Sequence, residues 1–233
     1  MSEARRDELR ANLADVRKRI EAACAAAGRS AEEITLVAVT KTFPASDVRL
    51  LSGLGLTDVA ENRDQDAAPK AKACADLPLT WHFVGQLQTN KARSVAAYAD
   101  VVQSVDRPRL VTALEKAVRD SGRTLRCLVQ VSLDDEEGRG GVAPDGALAL
   151  ADMIAGADGL RLDGVMAVAP LGGDPAEAFA RLAGIAADLR AAHPSATAIS
   201  AGMSADLEPA IACGATHVRV GTALLGGRRA IVR

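Results

Sequence analysis

Short apolar runs and longer stretches of helical period alternate along this chain from residue 34 to residue 221. Ahead of them, Leu9, Leu13, Val16, Ile20 and Cys24 recur at steps of three and four among Arg, Lys, Asp and Glu. That spacing predicts an amphipathic helix over 4–27, ended by Gly28. Runs rich in Val, Ile and Leu predict strands over 34–40, 58–61, 81–85, 101–105, 125–132, 162–168, 197–200 and 217–221. Between them, Ala- and Leu-rich stretches over 45–54, 63–75, 89–98, 107–121, 144–157, 175–192 and 204–213 predict helices, with Gly214 closing the last. Eight strands separated by helices are the pattern of an α/β fold, a single (β/α)8 TIM barrel with an additional N-terminal helix. An open doubly wound sheet would announce itself by a G-x-G-x-x-G loop after its first strand, and the sequence has none. The chain therefore reads as one domain over 1–233, with the helix of 1–28 packed on the barrel.

At 233 residues and 48% apolar, the chain can fill one large core. Lys plus Arg (28) nearly balances Asp plus Glu (30), for a net charge of -2, and the basic residues form no stripe, so nucleic acid is not an expected partner. Cys24, Cys74, Cys127 and Cys213 form no CxxC pair and read as reduced structural thiols. His82, His193 and His217 share no ligand spacing, so no metal is expected. The first ten residues are charged and no run reaches 18 apolar residues, which predicts a cytoplasmic chain with no signal peptide or membrane span. A barrel without a second domain is expected to be a monomer.

The first apolar run, Ile34 to Lys41, ends on a lysine and is stopped by Thr42-Phe43-Pro44. Counting by twos, Thr35, Val37, Val39 and Lys41 share a face, so the amine is expected to point with core residues, where an ammonium is costly unless it has chemistry to do. In a barrel, the C-terminal strand ends form one mouth. Lys41, Glu61-Asn62, Gln86, Ser204 (after Ala201-Gly202-Met203) and Gly221-Thr222 would gather there. In His217-Val218-Arg219-Val220-Gly221, Val218 and Val220 are expected to face the helices and His217, Arg219 and Gly221 the axis. A guanidinium inside a barrel needs an acceptor or a ligand. Loops after strands seven and eight commonly bind phosphate, and Ser204 fits either that role or a plain N-cap of the helix at 204–213. Gly138-Arg139-Gly140-Gly141 reads as a loop on the same face, either a lid or a simple connection. A lysine made nucleophilic beside Arg219 and opposite a phosphate site suggests a Schiff base with a phosphorylated carbonyl compound. The residues alone leave open pyridoxal phosphate and a sugar phosphate of the class I aldolase kind.

Several segments in chain order resemble the pyridoxal phosphate homeostasis proteins: Val39-Thr40-Lys41-Thr42, Glu61-Asn62, the block from Trp81 to Lys91, Ser104-Val105-Asp106, Gly164-Val165-Met166-Ala167, Ser200 to Leu207, and Arg219-Val220-Gly221-Thr222. The resemblance implies a barrel like that of bacterial alanine racemase and eukaryotic ornithine decarboxylase. It implies that pyridoxal 5'-phosphate is carried by Lys41 as an internal aldimine, with Ser204, Gly221 and Thr222 on the phosphate and Arg219 facing the pyridine nitrogen. Asn62, His82, Ser200 and Met203 match positions near the ring or the motif. Two positions depart from the family pattern: Ala60-Glu61-Asn62-Arg63 stands for Gly-Glu-Asn-Tyr, and Ala201 for a Met.

A racemase needs two bases on opposite faces of its carbanion. Tyr98, the one tyrosine, precedes the fourth strand and is expected at the far end of the barrel from Lys41. Racemases of this fold also carry a second β domain, for which no residues remain. The expected function is therefore non-enzymatic: holding pyridoxal phosphate for homeostasis of the cofactor, vitamin B6 and amino acids, with transient contact with apoenzymes that use it. The alternatives are an amino-acid racemase, with His82 or a water as second base, and a class I aldolase.

Overall fold

The protein is described here by a computed structural model covering residues 3–134 and 140–227. Gly138 and Arg139 of the glycine-rich loop lie outside the described residues. Eight strands, β1 (Thr35–Val39), β2 (Asp58–Glu61), β3 (Thr80–Phe83), β4 (Val101–Val105), β5 (Leu125–Gln130), β6 (Leu160–Met166), β7 (Ala198–Ser200) and β8 (His217–Val220), pair in parallel in sequence order and close into a barrel. Around them run α1 (Glu3–Ala26), α2 (Ala45–Gly53), α3 (Asp64–Ala73), α4 (Ala92–Tyr98), α5 (Pro108–Ser121), α6 (Ala147–Gly156), α7 (Pro175–Ala192), α8 (Leu207–Ala212) and α9 (Thr222–Leu225). Among the described residues, no helix is long and apolar enough to cross a membrane.

The alternation of strand side chains decides what lies inside and outside the wall. Val59, Trp81, Ala38, Val218 and Val220 pack outward against helices. Val101, Leu128, Met166 and Ala198 form a small apolar cluster of their own, to which the outward-facing residues of the same strands do not belong. Between the wall and the helical ring lies most of the apolar core, in two clusters that meet at Tyr98.

Helix α1 follows the predicted stripe: Leu9, Leu13, Val16, Ile20 and Cys24 are buried. They join Leu207, Ile211, Leu224 and Leu225 on the side of the barrel where β8 meets β1. Each fully buried Leu or Ile there contributes roughly 1.5–3 kcal/mol. Arg29, just beyond the helix, donates to the carbonyls of Ile211 and Ala215 at 2.9 and 2.8 Å and locks the connection to the α8 end.

Three departures from the predicted elements bear on function. Strand β1 ends at Val39, so the alternation stops before Lys41, and the lysine is exposed rather than buried with the core. Helix α8 begins at Leu207 instead of 204, with Asp206 at its N-cap position, so Ser204 is not its cap. The four-residue α9 was not predicted, because a single turn shows no hydrophobic period.

Candidate functional site

The turn after β1 presents Lys41. Thr40 is fully buried and its N–H donates to Ala60 O at 2.9 Å, continuing the sheet by one residue. Thr42 then takes a left-handed φ of 69°, a conformation β-branched residues rarely adopt, which turns the chain out of the wall. Strand pairing sets Val37 beside Arg219 and Ala38 beside Val220, so the β1 end runs alongside Gly221-Thr222. No hydrogen bond or ion pair holds the Lys41 amine among the described residues.

The loop after β7 is shaped by Gly202, whose φ is 86° and whose added Cβ would lie 2.6 Å from Ala210 Cβ. Its carbonyl accepts from Arg219 N–H at 2.9 Å, and Asp206 Oδ1 accepts from Met203 N–H at 2.6 Å. Met203 is therefore exposed at the rim, while Ser204 reaches across to the next loop, its Oγ accepting from Ala223 N–H at 3.2 Å. Asn62 and Arg63 follow β2. The Asn62 backbone lies so close to Gly85 that a Cβ on that glycine would come within 2.0 Å of Asn62 O. Arg63 is exposed and lines a cleft with Asn62, Gln86 and Lys91 beside the mouth.

The predicted site residues thus sort into two levels. Lys41, Asn62, Met203, Ser204, Gly221 and Thr222 stand at the rim, none of them buried. Arg219, Ser200 and His82 are buried at 4, 0 and 1% exposure. Arg219 Nη1 donates to Ser200 Oγ at 2.7 Å and Nη2 to Ala167 O at 2.8 Å. Burial lowers its guanidinium to about 10, with Asp206 opposing from a distance. His82 bonds to Gln103 and Asp58 rather than to the rim. His217 faces it with ring centroids 6.3 Å apart, and burial pushes the His217 imidazole down to about 4, helped by His82.

Sequence reasoning passed over Gln103, although one amide in the run Val101-Val102-Gln103-Ser104-Val105 was a visible signal. It also missed the carbonyl of Ala167, which no side-chain pattern announces. Tyr98 packs outside the wall with the helical core, and burial raises its phenol far above the usual range.

Comparison with known proteins agrees with this fold. A family model for the alanine racemase N-terminal domain matches residues 5–229. A curated pyridoxal phosphate homeostasis protein of Mycobacterium tuberculosis is 46% identical over 97% of this chain and 95% of its own length. One from Escherichia coli K12 is 39% identical over 93% of this chain and 95% of its own. The solved structure of PipY from Synechococcus elongatus with PLP bound superposes with a TM-score of 0.82 at 34% identity, covering 94% of this chain and all of that one. On fold and near full-length identity, the chain belongs to the pyridoxal phosphate homeostasis protein family, built on the alanine racemase N-terminal domain.

Proposed function

We propose that this chain binds pyridoxal 5'-phosphate at the barrel mouth, with Lys41 as the covalent anchor, and holds it for cellular balance of the cofactor, vitamin B6 and amino acids without turning over a substrate. One observation carries the reading: an exposed amine just past the end of β1 stands beside β8, whose buried Arg219 faces the barrel interior with no carboxylate in contact among the described residues. The PLP-bound PipY structure supports it.

Each residue has a task that its present bonds leave open. Lys41 Nζ, with no hydrogen-bond or ion-pair partner among the described residues, is the amine that would hold the cofactor covalently. Ser204 Oγ already accepts from Ala223 N–H, so its own hydrogen is left to donate to a phosphate oxygen beside Gly221 and Thr222. Arg219 spends an N–H on Ser200 and another on Ala167 O and, having five donors and no acceptor, would have a further one for the ring nitrogen. Asn62 and Met203 at the rim would contact the ring, while Ser200 accepts from Arg219 directly and His82 is linked to it through Gln103. Bound there, the cofactor supplies an aldehyde carbon and an electron-withdrawing ring. A donor-only partner keeps the ring nitrogen unprotonated and weakens that withdrawal, which suits storage better than transamination.

A racemase would need a second base facing Lys41. Tyr98 lies outside the wall, and both His82 nitrogens are engaged. These placements support a carrier rather than a racemase.

The test is the absorption spectrum of the protein with pyridoxal phosphate, followed by borohydride reduction and peptide mapping. A visible-edge band and a reduced adduct on Lys41, both lost in Lys41→Ala, are expected, with no racemisation of alanine. A colourless protein whose adduct maps elsewhere overturns the site. Racemisation that disappears in Lys41→Ala overturns the carrier.

A further inference from the structure

Five side chains are bonded in series through the barrel interior. From Arg219 near the mouth, Nη1 lies 2.7 Å from Ser200 Oγ, which lies 2.7 Å from Gln103 Oε1. Gln103 Nε2 lies 2.8 Å from His82 Nδ1, and His82 Nε2 lies 3.0 Å from Asp58 Oδ1, at the opposite end of the barrel where β2 starts.

The direction of this chain is dictated by its first member. A guanidinium only donates, so Ser200 Oγ accepts from Arg219 and passes its own hydrogen to Gln103. That fixes the carboxamide with Oε1 toward Ser200 and its NH2 toward His82. An NH2 only donates, so His82 Nδ1 accepts and the ring proton sits on Nε2, where it donates to Asp58. Asp58 accepts once more from Thr57 Oγ1 at 2.8 Å. Every donor points the same way, from a cation at one end to an anion at the other.

The ends differ in surroundings. Arg219 has no carboxylate in contact among the described residues, and its direct partners are a hydroxyl and a carbonyl. The Asp58 side chain keeps 19% exposure and opens onto a cleft with Thr57, Thr35 and Arg17. Burial raises its carboxyl, but the bonds from His82 and Thr57 outweigh that and hold it below the usual range. Other charged groups near the chain are Asp206 toward Arg219, and Arg126 and Asp163, which act on His217 beside His82.

We propose that Gln103, His82 and Asp58 are positioning residues for Arg219: through one polarised chain, the charge of Asp58 compensates the guanidinium and keeps it aimed at the mouth. Hydrogen bonds aligned head to tail strengthen one another in a low-dielectric interior, so a distant carboxylate acts where none could be packed. The importance of Arg219 to a bound ring rests on the reading of the mouth as the pyridoxal phosphate site.

The test uses two substitutions and two readouts. In 15N-labelled protein without cofactor, NMR is expected to find His82 as the Nε2–H tautomer and the Arg219 side-chain N–H slow to exchange. Gln103→Met keeps length but removes both bonds, and should speed Arg219 exchange on the order of tenfold, the size of one ordinary hydrogen bond. Gln103→Glu offers two acceptors: Arg219 should stay protected while His82 is forced to carry a proton on Nδ1. With pyridoxal phosphate added, Gln103→Met should shift the absorption maximum of the bound cofactor. A wild-type His82 protonated on Nδ1, Arg219 exchange unchanged in Gln103→Met, or Arg219 as unprotected in Gln103→Glu as in Gln103→Met overturns the chain. Wild-type protein that takes no cofactor at Lys41 overturns the proposed function alone, since the cofactor-free readouts still judge the chain. Cofactor bound identically by wild type and Gln103→Met overturns the positioning role alone.

Discussion

Thr40 and Glu61, at the ends of neighbouring strands, are joined on the outer side of the barrel wall, Thr40 Oγ1 donating to Glu61 Oε1 at 2.5 Å. Lys70 from α3 pairs with the same carboxylate oxygen and donates to Thr40 O at 2.9 Å. All three side chains are buried, and the residue they grip immediately precedes Lys41. A threonine in the left-handed region follows at Thr42, a conformation that costs of order 1–3 kcal/mol and persists where its surroundings hold it. The Thr40, Glu61 and Lys70 triad fixes the residue two positions before it, whose carbonyl also accepts from Phe43 N–H across the turn at 3.1 Å.

Lys70→Met should therefore act at a distance from the rim. It leaves Glu61 buried without its cation, and breaking such a pair costs roughly 3–5 kcal/mol. Urea denaturation at pH 7 measures that loss, and the affinity of the remaining folded protein for pyridoxal phosphate should fall with it. A variant as stable as the wild type would show that the pair does not anchor the turn.

Gly202→Ala tests the loop that carries Met203 and Ser204. At a φ of 86°, with a contact of 2.6 Å to Ala210 Cβ, the added methyl should cost about 1–3 kcal/mol in stability and loosen the Ser204 contact with Ala223. Adding Ala210→Gly should recover the clash but not the backbone strain. Full recovery in the double variant, read by thermal unfolding, would mean that strain plays no part.

His217 should make stability depend on mild acid. Its folded-state value near 4 lies below the ordinary 6.5, because burial and His82 disfavour the charged ring. Between those values the unfolded chain takes up a proton that the folded protein refuses. Stability contributed by the uncharged ring is thus whole above pH 6.5, falls as the pH drops toward 4 and levels off below it. The full span is about 3 kcal/mol. Urea titrations at pH 7, 5.5 and 4.5 should show this slope in the wild type and a shallower one in His217→Asn.

Much of the barrel was legible because its determinants are local. The alternation of His217 to Gly221 correctly assigned Val218 and Val220 to the helices and Arg219 to the interior. The period from Leu9 to Cys24 likewise revealed the buried face of α1. Lys41 was legible as a site residue but not in its setting. Counting by twos assumes an unbroken strand, whereas this one ends at Val39 and exposes the amine. Ser204 fitted either a phosphate contact or a cap of the next helix; the helix starts later, so the cap is not its role, and the hydroxyl serves another loop.

The sequence by itself determined the order of strands and helices, the sidedness of each strand and the motifs that end at the mouth, since each depends on side chains close together in the chain. Only the tertiary structure decided which polar groups meet. Thr40, Glu61 and Lys70 come from the residue just past β1, from β2 and from α3, and the series from Arg219 to Asp58 draws on β8, β7, β4, β3 and β2. Closing the barrel brings those strands around one axis, where the Ser200 hydroxyl and the Gln103 amide each meet a partner that another strand contributes.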